Sequence, residues 1–189
     1  MTGGIEKLKR EYDISLLWRA YPLHPETPAE GTPMEEFMGP GADLERMRRQ
    51  LAQEAETYGV PFQGADRLYN TRLAQELALW AAAEKRGDEF LQAVYRAYFV
   101  EGKDISSPAV LARTAASVGL PAGRAAEILE MRTFSQAVEA DWALSEGERV
   151  RLVPTLILDG DRLTGAQSHG ALVEFLEKHG VAKRANAGG

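Results

Sequence analysis

The side chains that could do chemistry are few, and their spacing limits what that chemistry is. The 189 residues contain three histidines and no cysteine. Without cysteine, disulfides, thiolate metal sites and cysteine nucleophiles are excluded from these residues. His24, His169 and His179 are scattered, with no ligand spacing between them, so no metal site is expected. The most informative pair is Val153-Pro154 at the head of an apolar run. Proline cannot donate to a sheet ladder, so it must sit at a strand start, at an edge or in a cis turn. A cis bond there would turn backbone groups of Val153 toward a ligand, whereas the dipeptide alone reads more simply as a trans proline that opens a strand. Asn70 and Thr71 fit a helix cap better than a ligand contact. His24, in a proline-rich stretch, could face a cleft, although a solvated loop histidine is the plainer reading. Trp18 suits the core, His169 could cap the last helix, and Arg46, Arg48 and Arg49 suit a solvated helix face.

Composition narrows the partners. Hydrophobic residues make up 44% and charged residues 26%, ordinary proportions for a globular chain. The length supports one domain with an elaboration, or two small lobes. A net charge of -6 offers no basic footprint, so nucleic acid is not an expected partner. No stretch approaches the roughly 18 to 20 apolar residues of a membrane span, and no apolar signal segment opens the chain, so a cytoplasmic location is expected.

The elements that must position these residues follow from periodicity. Ile5 and Leu8 share one face of a helix over 4–11. Residues 14–23 alternate Ile14, Leu16, Trp18 and Ala20 against Ser15, Leu17, Arg19 and Tyr21, which predicts a strand with one buried face. Residues 24–40 hold four prolines, Pro25, Pro28, Pro33 and Pro40, and predict an irregular loop or lid. From Ala42 the period becomes helical: Leu44, Met47, Leu51 and Ala55 repeat until the Tyr58-Gly59 stop. Further helices follow over 71–85, 89–99, from Ser107-Pro108 to Gly119, and within 121–143. The tail returns to a sheet pattern, with a strand over 153–158, an Asp159-Gly160 turn and a return strand at 162–164. A final amphipathic helix spans 170–179, and residues after Gly180 read as frayed.

Val-Pro-Thr at a strand head, then a hairpin, then Thr164-Gly165-Ala166-Gln167 and a terminal helix, resembles the C-terminal half of the thioredoxin fold, in its DsbA-like branch. Trp18-Arg19 to Pro22-Leu23, the loop ending at Gly31, Asn70-Thr71 with Leu73-Ala74, and Ala97-Tyr98-Phe99 with Glu101-Gly102-Lys103-Asp104-Ile105 resemble the FrnE-like members of that family. These are relatives of 2-hydroxychromene-2-carboxylate isomerases and kappa-class glutathione transferases. The resemblance runs over 3–178 and implies an α/β thioredoxin-like fold with a helical insertion. Residues 1–41 and 150–180 would form the thioredoxin-like lobe, 42–149 the helical lobe and 181–189 a frayed tail.

In that family a central first strand and a C-P-x-C segment come before the first helix, and they would fall just upstream of Met1. No catalytic residue is therefore expected among these residues. Either the written start is downstream of the true one, or this is a truncated homologue whose flanking strands pair directly or through a homodimer. The resemblance implies thiol–disulfide oxidoreductase chemistry at the family level, with this chain redox-inactive as written. It equally leaves open a glutathione-dependent isomerase or transferase, or a non-catalytic binding module. In each case Val153, Pro154, Thr155, His24 and Asn70 would contact a thiol or disulfide peptide or a glutathione-like molecule. No cofactor is implied other than glutathione.

Overall fold

The computed structural model describes residues 2–57 and 59–185. The chain divides into two compact units, one of residues 1–21 and 143–189, the other of 22–142.

The second unit is mainly helical. It opens with Thr32–Pro33 (β1) and the short helix Met34–Met38 (α2), continues with Leu44–Thr57 (α3) and Arg67–Leu68 (β2), and then packs helices in succession. These are Arg72–Ala83 (α4), Gly87–Phe99 (α5), Pro108–Ser117 (α6) and Ala122–Met131 (α7). Ser135–Gly147 (α8) carries the chain on into the first unit. The reason for this packing is visible in the spacing. Ala74, Leu77 and Ala81 on α4, and Phe90, Val94 and Ala97 on α5, fall three or four residues apart and are all buried. Leu111 and Ala115 on α6 and Ala125, Ile128 and Leu129 on α7 complete the cluster. Pro108 takes the first position of α6, as its fixed φ favours, but Ser107 makes no side-chain cap bond. Asp104 instead accepts from the Ser106 N–H at 2.8 Å.

The sequence pattern did not show the β1–β2 pair, in which Thr32 faces Leu68 and Pro33 faces Arg67. Each strand is two residues long and lacks alternation to read. Gly31 makes this pairing possible. Its φ is +73°, and a Cβ would stand 2.7 Å from the Leu68 carbonyl oxygen and 2.9 Å from the Tyr69 ring. Gly31→Ala combines a left-handed conformation with a clash against backbone, so it should cost more than about 1 kcal/mol. Urea unfolding of the variant measures this, with Gly123→Ala, which meets nothing within 4 Å, as the control.

The first unit is built on Thr2–Glu11 (α1) and His169–Lys178 (α9). Ile5, Leu8 and Tyr12 lie on one face and bury against Leu172 and Leu176 of α9. The hairpin of Thr155–Leu158 (β3) and Asp161–Thr164 (β4) lays Leu156, Leu158 and Leu163 on the same cluster. Asp159 and Gly160 turn it with φ of 50° and 84°, the pair of positive values that a two-residue type I′ turn needs.

Two expectations are corrected here. No strand is assigned over residues 14–23 among the described residues, although Ile14, Leu16, Trp18 and Ala20 are half-buried while Ser15, Leu17 and Arg19 are exposed. The burial alternates as in a strand, without a ladder assigned to it. Residues 181–184 are docked rather than frayed. Asp13 N–H donates to the Ala182 carbonyl at 3.0 Å, Arg184 N–H to Glu11 at 2.8 Å, and Tyr12 bridges Lys183. Backbone bonds to the end of α1 hold a polar stretch that has no apolar pattern to announce it. Met1, Tyr58 and residues 186–189 lie outside the described residues.

Candidate functional site

Residues 152–155 enter β3 with their main-chain groups sorted. The Val153–Pro154 peptide is cis. The Thr155 hydroxyl donates to the Leu152 carbonyl at 2.6 Å, and Gly165 N–H donates to the Pro154 carbonyl at 2.8 Å. The side chain of Gln167 donates to the Thr164 carbonyl at 2.7 Å and braces the far end of β4. Between these tied carbonyls, the N–H and C=O of Val153 have no hydrogen-bond partner among the described residues. Val153 is 42% exposed and Leu152 63% exposed, so the free groups face solvent beside apolar surface. Such a segment can bond the backbone of an extended ligand. Its one side-chain polar group is the Thr155 hydroxyl, which is bonded to the Leu152 carbonyl.

The other two sequence candidates lie in the second unit. His24 stands 3.5 Å from the Glu26 carboxylate through Nδ1 and meets the Phe37 ring edge-on, with centroids 4.9 Å apart. Asn70 is committed to the fold: its amide donates to the Thr27 carbonyl at 2.6 Å and its oxygen accepts the Arg72 N–H at 2.9 Å, at the start of α4. Val153, Pro154 and Thr155 thus form one continuous segment, and His24 and Asn70 belong to a separate unit.

Sequence reasoning missed a charged group in the first unit. Tyr12 donates to Glu177 at 2.8 Å, Lys183 pairs with the same carboxylate at 2.8 Å, and the Lys183 ammonium lies 5.6 Å from the Tyr12 ring centroid. A shallow pocket lined by Glu11, Tyr12, Val173 and Lys183 opens beside them. His169 contacts Glu11 through Nε2 at 2.9 Å, while its buried Nδ1 has no hydrogen-bond partner among the described residues. It is not the helix cap; the preceding Ser168 is, accepting the Ala171 N–H at 3.2 Å. These partners are about 165 residues apart in sequence, which no local pattern can signal.

The charges of this unit give it a defined pH response. Bonds from Lys183 and Tyr12 hold the Glu177 carboxyl below its ordinary value, and the Lys178 ammonium with His179 does the same for Asp161. Burial pushes the Tyr12 phenol up, and the Glu177 carboxylate raises the Lys183 ammonium. A carboxyl held low in the folded state contributes stability above its unfolded pKa and loses it as pH falls. The first unit should therefore keep its stability at neutral pH and lose it as pH drops below about 4, the ordinary carboxyl range. Urea midpoints at stepwise pH test this, and Glu177→Gln should flatten part of the acid limb.

A sheet hairpin against a terminal helix, with a cis proline at the strand head, defines the thioredoxin class of α/β proteins. The chain belongs to the DsbA-like family: the DSBA-like thioredoxin domain matches residues 2–177. In structure it is similar to a protein described as a DsbA oxidoreductase from Streptomyces coelicolor, with a TM-score of 0.84 and 18% identity over 94% of this chain and 81% of that one. It is also similar to a protein described as a protein disulfide isomerase from Nitrosomonas europaea, at TM-score 0.63, 20% identity and coverage of 78% and 76%. A 2-hydroxychromene-2-carboxylate isomerase follows at TM-score 0.60, 19% identity and coverage of 72% and 66%. These likenesses are of fold. No curated protein matches the sequence. Among the described residues no helix is long and apolar enough to cross a membrane, and no cluster of acidic or histidine side chains could hold a metal ion.

Proposed function

We propose that this chain is a DsbA-type binding module of the cytoplasm. It would take the extended backbone of a thiol or disulfide peptide, or of glutathione, along Val153, Pro154 and Thr155, and would carry out no thiol–disulfide exchange of its own. The observation that carries this reading is the free N–H and C=O of exposed Val153 between two tied carbonyls, an arrangement that pairs with a ligand's main chain. The absence of any cysteine supports the second half, because exchange requires a thiolate to attack a disulfide sulfur. An isomerase or transferase reading shares this contact and differs only in the small molecule that glutathione would serve.

The test uses the 189-residue chain in two assays. Glutathione titrated into labelled protein should shift the amides of Val153 and Thr155, and insulin reduction by dithiothreitol should proceed no faster with the protein than without it. Catalysed insulin reduction would overturn the redox-inactive reading. Glutathione and oxidised glutathione that both leave Val153 and Thr155 unmoved would overturn the binding reading.

A further inference from the structure

We infer that the pocket between α1, α9 and residues 181–184 binds a small zwitterion, a molecule with one ammonium and one carboxylate on a short apolar body. Its walls all belong to the first unit: Glu11 and Tyr12 at the end of α1, Val173 on α9, and Lys183. The main chain holds Lys183 in place from both sides. Asp13 N–H donates to the Ala182 carbonyl before it, and Arg184 N–H donates to the Glu11 carbonyl after it. The Arg184 Nε closes on the Lys9 and Tyr12 carbonyls at 3.0 and 2.9 Å.

The charges on these walls are opposite, yet they are not paired with each other. Glu11 pairs with Lys7 and His169, and Lys183 pairs with Glu177, but no ion pair joins Glu11 to Lys183. Each also has bonding capacity left among the described residues. One Glu11 oxygen meets His169 Nε2 at 2.9 Å, whereas the other has only the Lys7 ammonium at 3.7 Å, beyond hydrogen-bond length. An ammonium carries three donors, and Glu177 and the Tyr12 hydroxyl engage two of those on Lys183. One donor and one acceptor thus remain on opposite charges of the same pocket.

This pattern selects its occupant. A simple anion drawn to Lys183 would meet the Glu11 carboxylate, and a simple cation drawn to Glu11 would meet Lys183, so one wall opposes each of them. A molecule carrying both charges satisfies both walls. Val173 supplies apolar lining for its methylene groups. The volume sets its size: about 270 Å³ lies just below the roughly 300 Å³ at which pockets for drug-sized ligands begin, so the body joining the charges is short. Both α-amino acids and ω-amino acids have this chemistry, and they differ in how far apart they hold their charges. The pocket shares no residue with the Val153 segment and requires no thiol, so it lies beyond the proposed function.

The probes are L-leucine and δ-aminovalerate, titrated separately into the labelled full chain. At least one should shift the amides of Tyr12, Val173 and Lys183 saturably; leucine alone would assign an α-amino acid, and aminovalerate alone an ω-amino acid. Removing one charge from the ligand should weaken binding by about tenfold or more, as expected for losing a hydrogen bond between charged groups. N-acetyl-leucine and leucinamide make this comparison for leucine, and pentylamine and valerate for aminovalerate. Glu11→Gln and Lys183→Met should weaken binding by a similar factor. In both variants the Asp13 amide, bonded to Ala182, should stay as protected as in the parent and so report that 181–184 remain docked. Should a variant release them, the singly charged ligands test the same contacts on the parent chain. Amides that move for neither zwitterion up to its solubility limit would overturn the inference. So would singly charged ligands that bind as tightly as the zwitterion, or docked variants that keep full affinity. Shifts confined to Val153 and Thr155 would place the ligand on the other segment and overturn it as well.

Discussion

Glu76→Ala should destabilise the helical unit by about 3 kcal/mol, the lower end of the 3–5 kcal/mol range for stripping one partner from a buried ion pair. Glu76 is completely buried on α4. It accepts from the Arg72 Nε at 3.0 Å, one turn earlier, and from Arg132 through Nε at 3.0 Å and Nη2 at 2.6 Å. Arg72 also reaches the Ser135 carbonyl and hydroxyl at 3.0 Å and Glu139 at 2.6 Å, and lies 4.7 Å from the Trp142 ring centroid. Removing the carboxylate leaves Arg72 in a mostly buried position with its charge half-compensated. Arg132 is 47% exposed and can turn to water, which is why the lower end is expected. The same pair explains a backbone oddity: Arg132 ends α7 with a left-handed φ of 53°, where glycine is usual, because its guanidinium closes on Glu76. Urea unfolding followed by far-UV circular dichroism gives the value. A change under 1 kcal/mol would show that the network is held by packing, with little contribution from charge.

Leu8→Ala should cost the first unit about 2–5 kcal/mol, the lost transfer of a buried leucine plus the cavity it leaves. Leu8 is 2% exposed and sits between Ile5 and Tyr12 on α1, against Leu172 and Leu176 of α9. The unit has a two-stranded hairpin and two helices around this cluster, so one methylated side chain is a large share of its apolar core. Denaturation monitored at amides of α1 and α9 should show the loss, while amides of α4 and α5 should unfold at their parental midpoint if the two units melt independently. A loss below 1 kcal/mol would contradict the burial argument.

How much of this was legible depends on the range of the interactions. The helices over 72–83 and 87–99 and the hairpin at 155–164 were readable because their signals are local: apolar residues every third or fourth position, and an Asp-Gly pair between apolar runs. The Val153–Pro154 segment was readable for the same reason, since a missing N–H restricts a proline wherever it stands. The Glu76–Arg132 pair, 56 residues apart, and the Tyr12–Glu177 bond, 165 apart, have no local trace. Nor does the docking of 181–184, which rests on backbone bonds that polar residues of any kind could make. The chain by itself thus determined the helical and hairpin elements, the absence of a thiol and the alternation of residues 14–20, all set by residue type and period. Only the tertiary structure decided that, among the described residues, this alternating stretch joins no ladder and β3 pairs with β4. A ladder needs a partner at about 4.8 Å, and whether one is present is a property of the assembled sheet that no single segment encodes.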